Sequence, residues 1–133
     1  MNKTQSASKY GVEASQCTSR LSAIDDTLYV IGGKWKLKVI IGLREQGSMR
    51  FNELQRTITG ISARVLSNEL KELEMNGFIK RKVHTTSPVV IEYELTGYSN
   101  TLGDVLQAMI DWGTKHRKKI RTDAKRDRMS AVK

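Results

Sequence analysis

Leu21, Ile24, Leu28 and Ile31 recur at intervals of three and four, so the segment from Ser19 to Ile31 reads as a helix with one apolar stripe. Gly32-Gly33 closes it, since glycine enters the left-handed cap conformation without a Cβ penalty. Trp35, Val39, Ile40 and Leu43 predict a second helix over Lys34 to Glu45, stopped by Gly47. Phe51, Leu54 and Ile58 mark a short third helix, with Asn52 as its expected cap and Gln55 three residues on. Thr59-Gly60-Ile61 makes a turn, and Ser62 caps a fourth helix ending at Gly77, with Leu66, Leu70 and Leu73 facing inward. The period then drops from about 3.6 to 2. Ile79, Arg81 and Val83 alternate with Lys80 and Lys82; Val89, Ile91, Tyr93 and Leu95 alternate with Val90, Glu92 and Glu94. His84 to Pro88 joins these runs as a β-hairpin. After Thr96, a further cap, Leu102, Val105, Leu106, Met109, Trp112 and His116 trace a last helix that runs towards Ile120.

A short helix, a Gly-containing turn and a capped second helix are the signature of a helix-turn-helix, and a hairpin directly after it makes a winged helix. The expected class is mainly α (α+β), with a two-stranded hairpin as the wing. Three leucines fix one side of the fourth helix in the core, so its polar side faces outward. That side holds Ala63, Arg64, Ser67, Asn68 and Lys71, types that pair with base edges and phosphates. An α-helix fits the major groove of B-DNA, and residues near its N-terminus usually reach the bases. Arg64 is therefore the candidate for guanine, and Asn68, one turn on, for adenine.

Charge agrees with a polyanionic partner. The 133 residues carry 23 Lys or Arg against 14 Asp or Glu, a net +9. The excess is uneven: eight Lys or Arg and two Asp lie between Lys115 and Arg128. Several classes drop out. The longest uncharged apolar run, Val39 to Leu43, is far short of a bilayer span, and Met1 to Ser8 lacks an apolar signal core. These features, with a single cysteine, Cys17, predict a cytoplasmic protein without a disulfide framework. Gly32-Gly33-Lys34 is no phosphate loop, because Leu28 stands at the first glycine position and Trp35 replaces Ser or Thr. No nucleophile elbow, paired carboxylates or metal triad is present, and His84 and His116 lack ligand partners at useful spacing. An enzyme, a metal site and a bound cofactor are not expected.

Seven segments carry a family resemblance: Ile31-Gly-Gly-Lys-Trp35, Arg50-Phe-Asn-Glu-Leu54, Gly60-Ile-Ser62, Leu70-Lys-Glu-Leu-Glu74, Asn76-Gly77, Glu92-Tyr-Glu-Leu-Thr96 and Trp112-Gly113. In this order and spacing the chain resembles the HxlR-type transcriptional regulators, a branch of the MarR-like winged-helix proteins. The resemblance implies a homodimer on operator DNA that regulates transcription, with the first and last helices building the dimer interface. Candidate interface residues are Leu21, Ile24, Leu28, Leu102, Val105, Leu106, Met109 and Trp112. Candidate DNA contacts are Ser62, Ala63, Arg64, Ser67, Asn68 and Lys71 on the reading helix, with Arg50 and, in the wing, Lys80, Lys82 and His84. Some members sense oxidants or electrophiles through a cysteine before the glycine pair. Cys17 is the candidate sensor, although it precedes Thr18 rather than Pro and lies farther out than usual. Family members also tend to have Gly where Ser99 stands.

The expected layout is a flexible segment over residues 1–18, a winged-helix domain over 19–121 and a basic tail over 122–133. The outward face of the fourth helix has a plain reading as a solvated surface, and the charged hairpin has one as protection against edge pairing. A winged helix used for protein contacts, or for nucleic acid without sequence preference, is the competing assignment. The protein-contact reading would suit an acidic or apolar outer face better than one holding Arg64 and Lys71.

Overall fold

The computed structural model describes residues 14–131, with side chains from Cys17 onward. The element order is α1 (Ala14–Ile31), α2 (Lys36–Gln46), β1 (Met49–Arg50), α3 (Phe51–Thr57), α4 (Ala63–Met75), β2 (Ile79–His84), β3 (Val90–Leu95), a 3₁₀ turn (Gly97–Leu102) and α5 (Gly103–Ala131). This is a winged helix-turn-helix, as the periodicity predicts. Its residues fall into two compact units, the first ending at Leu95 and the second beginning at Thr96.

The first unit is built on the apolar positions the pattern singles out. Val39, Ile40 and Leu43 of α2, Leu54 of α3 and Leu66, Leu70 and Leu73 of α4 are all buried, with Ile58, Ile61, Phe78 and Ile79 closing the core. Ser62 caps α4: its Oγ accepts from the Val65 N–H at 3.2 Å. At the other end Gly77 takes φ 81°, and the Phe78 N–H donates to the Leu73 carbonyl at 2.9 Å. This closure needs a residue that tolerates positive φ.

Several boundaries differ from expectation. Helix α3 starts before Asn52: Arg50 is the N-cap, and its N–H donates to Glu53 Oε1 at 3.4 Å, so Asn52 and Gln55 make no capping box. Trp35 precedes α2 rather than belonging to its stripe. Its ring lies 3.9 Å from where a Cβ would stand on Gly60 (φ 87°), in the turn between α3 and α4. The hairpin is joined by a third strand too short for any period to reveal. β1 pairs antiparallel with β3, Met49 opposite Tyr93 and Arg50 opposite Glu92, giving the order β1-β3-β2.

Both expected domain boundaries fall inside helices. Residues 14–18, assigned to the flexible segment, are the first turns of α1, while 1–13 lie outside the described residues. Residues 122–131, expected as a tail, continue α5, and 132–133 lie outside the described residues. In the second unit Ser99 is buried, and its hydroxyl donates to the Thr96 carbonyl at 2.6 Å, a bond that glycine there would forgo. No helix among the described residues is long and apolar enough to cross a membrane.

Candidate nucleic-acid interface

Helix α4 presents three sides. The leucines hold one side against the core, and Ala63, Arg64, Asn68 and Lys71 are exposed on the opposite side, with Ser67 half-buried. Neither Arg64 nor Lys71 forms a salt bridge among the described residues, so both cations remain available to an anion. The cap residue Ser62 is exposed at the N-terminal end of the same surface.

The two flanks of α4 are pinned differently. On one, Glu69 and Glu72 meet Lys36 of α2, whose Nζ lies 2.8 Å from Glu69 Oε2 and 2.5 Å from Glu72 Oε2. Lys36 is 8% exposed, an unusual position for a lysine. Burial alone would push its pKa down, but the two carboxylates outweigh that and raise it above the ordinary 10.5. The ion pairs therefore tie α4 to α2. On the other flank Ser67, Leu70, Lys71 and Glu74 line a cleft with Arg81 and Tyr93 of the sheet.

The sheet sorts the wing candidates by parity. Lys80 lies opposite Glu94, Lys82 opposite Glu92 and His84 opposite Val90, so all three share one face with both carboxylates. Glu94 gathers Lys80 Nζ at 3.0 Å and, diagonally, Lys82 Nζ at 2.9 Å, and it accepts from the Ser48 hydroxyl at 2.9 Å. Held chiefly by Lys82 and then by Lys80, its carboxyl titrates at about 2 instead of 4.5. His84 Nε2 stands 3.6 Å from Glu92 Oε1, and Arg50 faces Glu92 from β1 with its Nε 4.0 Å from Glu53 Oε1. Lys80, Lys82 and His84 thus each have an acidic neighbour, whereas Arg81, on the other face, has no ion pair among the described residues.

Sequence reasoning missed Lys36, and it counted Arg81 among the charged residues of the hairpin without assigning it to the interface. For Arg81 the signal was present, because alternation puts it on the face opposite Lys80 and Lys82, the face that α4 covers. Lys36 is hidden in a run of three alternating lysines, 34, 36 and 38, and only the packing of α2 on α4 separates it from its neighbours. Lys34 and Lys38 instead stand 4.7 and 5.0 Å from the centre of the Trp35 ring.

The expected interface residues divide. Leu21, Ile24 and Leu28 are exposed on α1, as are Val105, Met109 and Trp112 on α5, with Leu102 half-buried. Leu106 is 3% exposed and thus already covered within one chain. The Trp112 ring stacks on His116 at 4.8 Å. Cys17 is a free, exposed thiol, and at i, i+4, i+7 and i+11 it shares one face of α1 with Leu21, Ile24 and Leu28.

Comparison with known proteins agrees with this architecture. The HxlR-like helix-turn-helix family profile matches residues 30–121. An HTH-type transcriptional regulator of Halalkalibacterium halodurans, BH0655, is 44% identical over 90 residues, covering 68% of this chain and 80% of the relative. YdeP of Bacillus subtilis, also an HTH-type transcriptional regulator, is 38% identical over 112 residues, or 84% of this chain and 87% of YdeP. Among solved structures, the redox regulator HypR in its reduced form superposes with a TM-score of 0.69 at 36% identity, covering 75% of this chain and 98% of HypR. With its helix-turn-helix and its wing inside the matched span, the chain belongs to the HxlR-like helix-turn-helix family of transcriptional regulators.

Proposed function

We propose that this regulator acts in the cytoplasm as a homodimer that reads an inverted-repeat operator through α4. The observation that carries the reading is the exposed Arg64–Asn68–Lys71 side of a helix whose other sides are fixed by three buried leucines and the Lys36 ion pairs. A helix held this rigidly can place a guanidinium on guanine O6 and N7 and a carboxamide on adenine. In this reading Ser62, Ala63 and Ser67 meet the duplex beside them, and Lys71 and Arg50 meet phosphates. Lys80, Lys82 and His84 contribute from the wing once a phosphate competes with their carboxylate partners.

The exposed apolar faces of α1 and α5 supply the pairing surface with a second copy, since isolated chains rarely leave such stripes in water. A twofold dimer sets its two reading helices about 34 Å apart, one duplex turn. Cys17, on the pairing face of α1, is the candidate through which an oxidant or electrophile alters that spacing; the reduced-form structure of the redox regulator HypR supports this assignment. The test is selection of bound duplexes from a random pool. The expected result is an inverted repeat with guanine and adenine at fixed positions in each half-site. Recovery of duplexes with no shared sequence would overturn the reading in favour of non-specific nucleic-acid binding.

A further inference from the structure

The family profile ends at residue 121, yet α5 continues for ten residues to Ala131. Eight cations occupy this helix from Lys115 onward: Lys115, Arg117, Lys118, Lys119, Arg121, Lys125, Arg126 and Arg128. At roughly 100° per residue they fall within an arc of about 200°. Asp123, Asp127, Ile120 and Ala124 take the remaining side. Only Lys119 has a salt bridge, to Asp123 at 2.6 Å; the other seven have none among the described residues.

Neither ordinary explanation accounts for this arrangement. A favourable interaction with the helix dipole reaches only the last turn, and Lys115 to Arg121 lie at least ten residues before the helix end. A solvated charged face usually mixes signs at i, i+3 and i+4. Here Lys115–Lys118, Lys115–Lys119, Arg117–Arg121, Lys118–Arg121, Arg121–Lys125 and Lys125–Arg128 are all like-charged neighbours, which weaken a helix in isolation. An anionic partner removes that repulsion. The occupant is not a lipid surface: Met129 falls inside the cationic arc, and the opposite side carries two aspartates rather than an apolar face.

We infer that the C-terminal half of α5 is a second DNA contact, a sequence-independent seat for the phosphate backbone of a duplex. Cations recur there about once per helical turn along one line, through Lys118, Arg121, Lys125 and Arg128, over about 15 Å. The contact shares its partner with the proposed operator reading but not its residues. It supplies affinity and no base preference.

The test uses the full chain and the triple variant Lys118→Gln/Arg121→Gln/Lys125→Gln. Affinity for a selected operator and for a scrambled duplex of equal length is measured between 50 and 200 mM salt. Three lost phosphate contacts flatten the log–log slope by about 2.7 per chain, or about 5.4 for the proposed dimer, so over that interval the dimeric variant loses on the order of 10³-fold less affinity than wild type. The expected result is this flattening on both duplexes, with the ratio between them unchanged within twofold. Unchanged slopes on both overturn the inference, as does wild-type binding to phosphatidylserine vesicles, lost in the variant, without any change in slope. Circular dichroism checks that the helix persists, and Lys118→Arg/Lys125→Arg, which keeps the charge, should bind like wild type; loss of binding in that variant also counts against the seat. If no operator can be selected, the operator reading fails, while the scrambled-duplex slopes still decide this one.

Discussion

Replacing Lys36 by Met removes the ammonium that neutralises two carboxylates on the flank of α4. The two pairs are unequal. The Glu72 side chain is 56% exposed, so water takes over most of its interaction, and little is lost there. The Glu69 side chain is 19% exposed, and its Oε2 is shielded from solvent, with Lys36 as its only partner among the described residues. Leaving such an oxygen unpartnered costs about 1–3 kcal/mol, and the Met side chain recovers part of that by filling the lysine's place. We expect a net loss of about 2 kcal/mol, read as a Tm some 6–10 °C lower at pH 7. Lys36→Met/Glu69→Leu, which removes both charges, should regain more than half of it, because an apolar pair of similar volume is often as stable as a buried ion pair. Urea unfolding of the two single variants and the double variant closes the cycle. A Lys36→Met loss below about 0.5 kcal/mol, or a double variant worse than either single one, would refute the argument.

The same pair sets a pH dependence. The folded state raises the Lys36 pKa, so its contribution is fully present below 10.5 and fades only as the pH climbs beyond that towards the raised value. Because the triad also fixes how α4 is rolled on α2, Lys36→Met should lower the preference for operator over scrambled DNA at temperatures where the variant is still folded.

Arg64→Ala should cost about 1–3 kcal/mol of operator binding, concentrated at one base pair per half-site and measured with single-base operator variants. Ile24→Glu, at a position 56% exposed in the single chain, should leave the fold intact and yield monomers by sedimentation, with operator binding lost; a stable dimer in that variant would remove α1 from the interface. Glu94 is a depressed carboxylate, so its contribution is present above 4.5 and disappears as the pH falls towards about 2, which carboxyl NMR titration reads directly. Glu94→Gln should also free Lys80 and Lys82 and steepen the salt dependence of DNA binding by as much as about 1.8 per chain. A mild electrophile should weaken operator binding of wild type and leave Cys17→Ser unaffected; an equal response in both makes Cys17 a bystander.

The parts of this molecule legible from sequence are those where one side chain answers to one burial demand. Leu66, Leu70 and Leu73 announce a helix, its inner side and therefore its outer side, because a stripe of three leucines has one low-energy orientation against a core. The hairpin is legible from alternation in sequence rather than from burial: β2 buries only Ile79 and every residue of β3 is half-buried. What stays hidden is anything decided by a partner far along the chain. Strand β1 is two residues long and exists because β3 offers Met49 and Arg50 a free edge, so no window around 49–50 can predict it. The short helix beside it begins at Phe51 with Glu53 reaching back to Arg50, and its start moves with that strand.

Charge is the hardest feature to read, because its meaning depends on what faces it. Three kinds of lysine in this chain look alike in the sequence. Lys36 is buried between two glutamates, Lys80 and Lys82 share one glutamate at the surface, and Lys118 and Lys125 have no ion pair among the described residues. Total charge counts all five equally towards the +9. A polyanion does not: it gains nothing from the first, must compete with Glu94 for the next two, and meets the last two unopposed. The distinction shifts weight from Lys80 and Lys82 towards Arg64 and Lys71 on the reading helix and Arg81 beside it, and towards the far half of α5. It also orders the salt dependence. Neutralising Lys118 and Lys125 should flatten the slope more than neutralising Lys80 and Lys82, although each pair removes two charges.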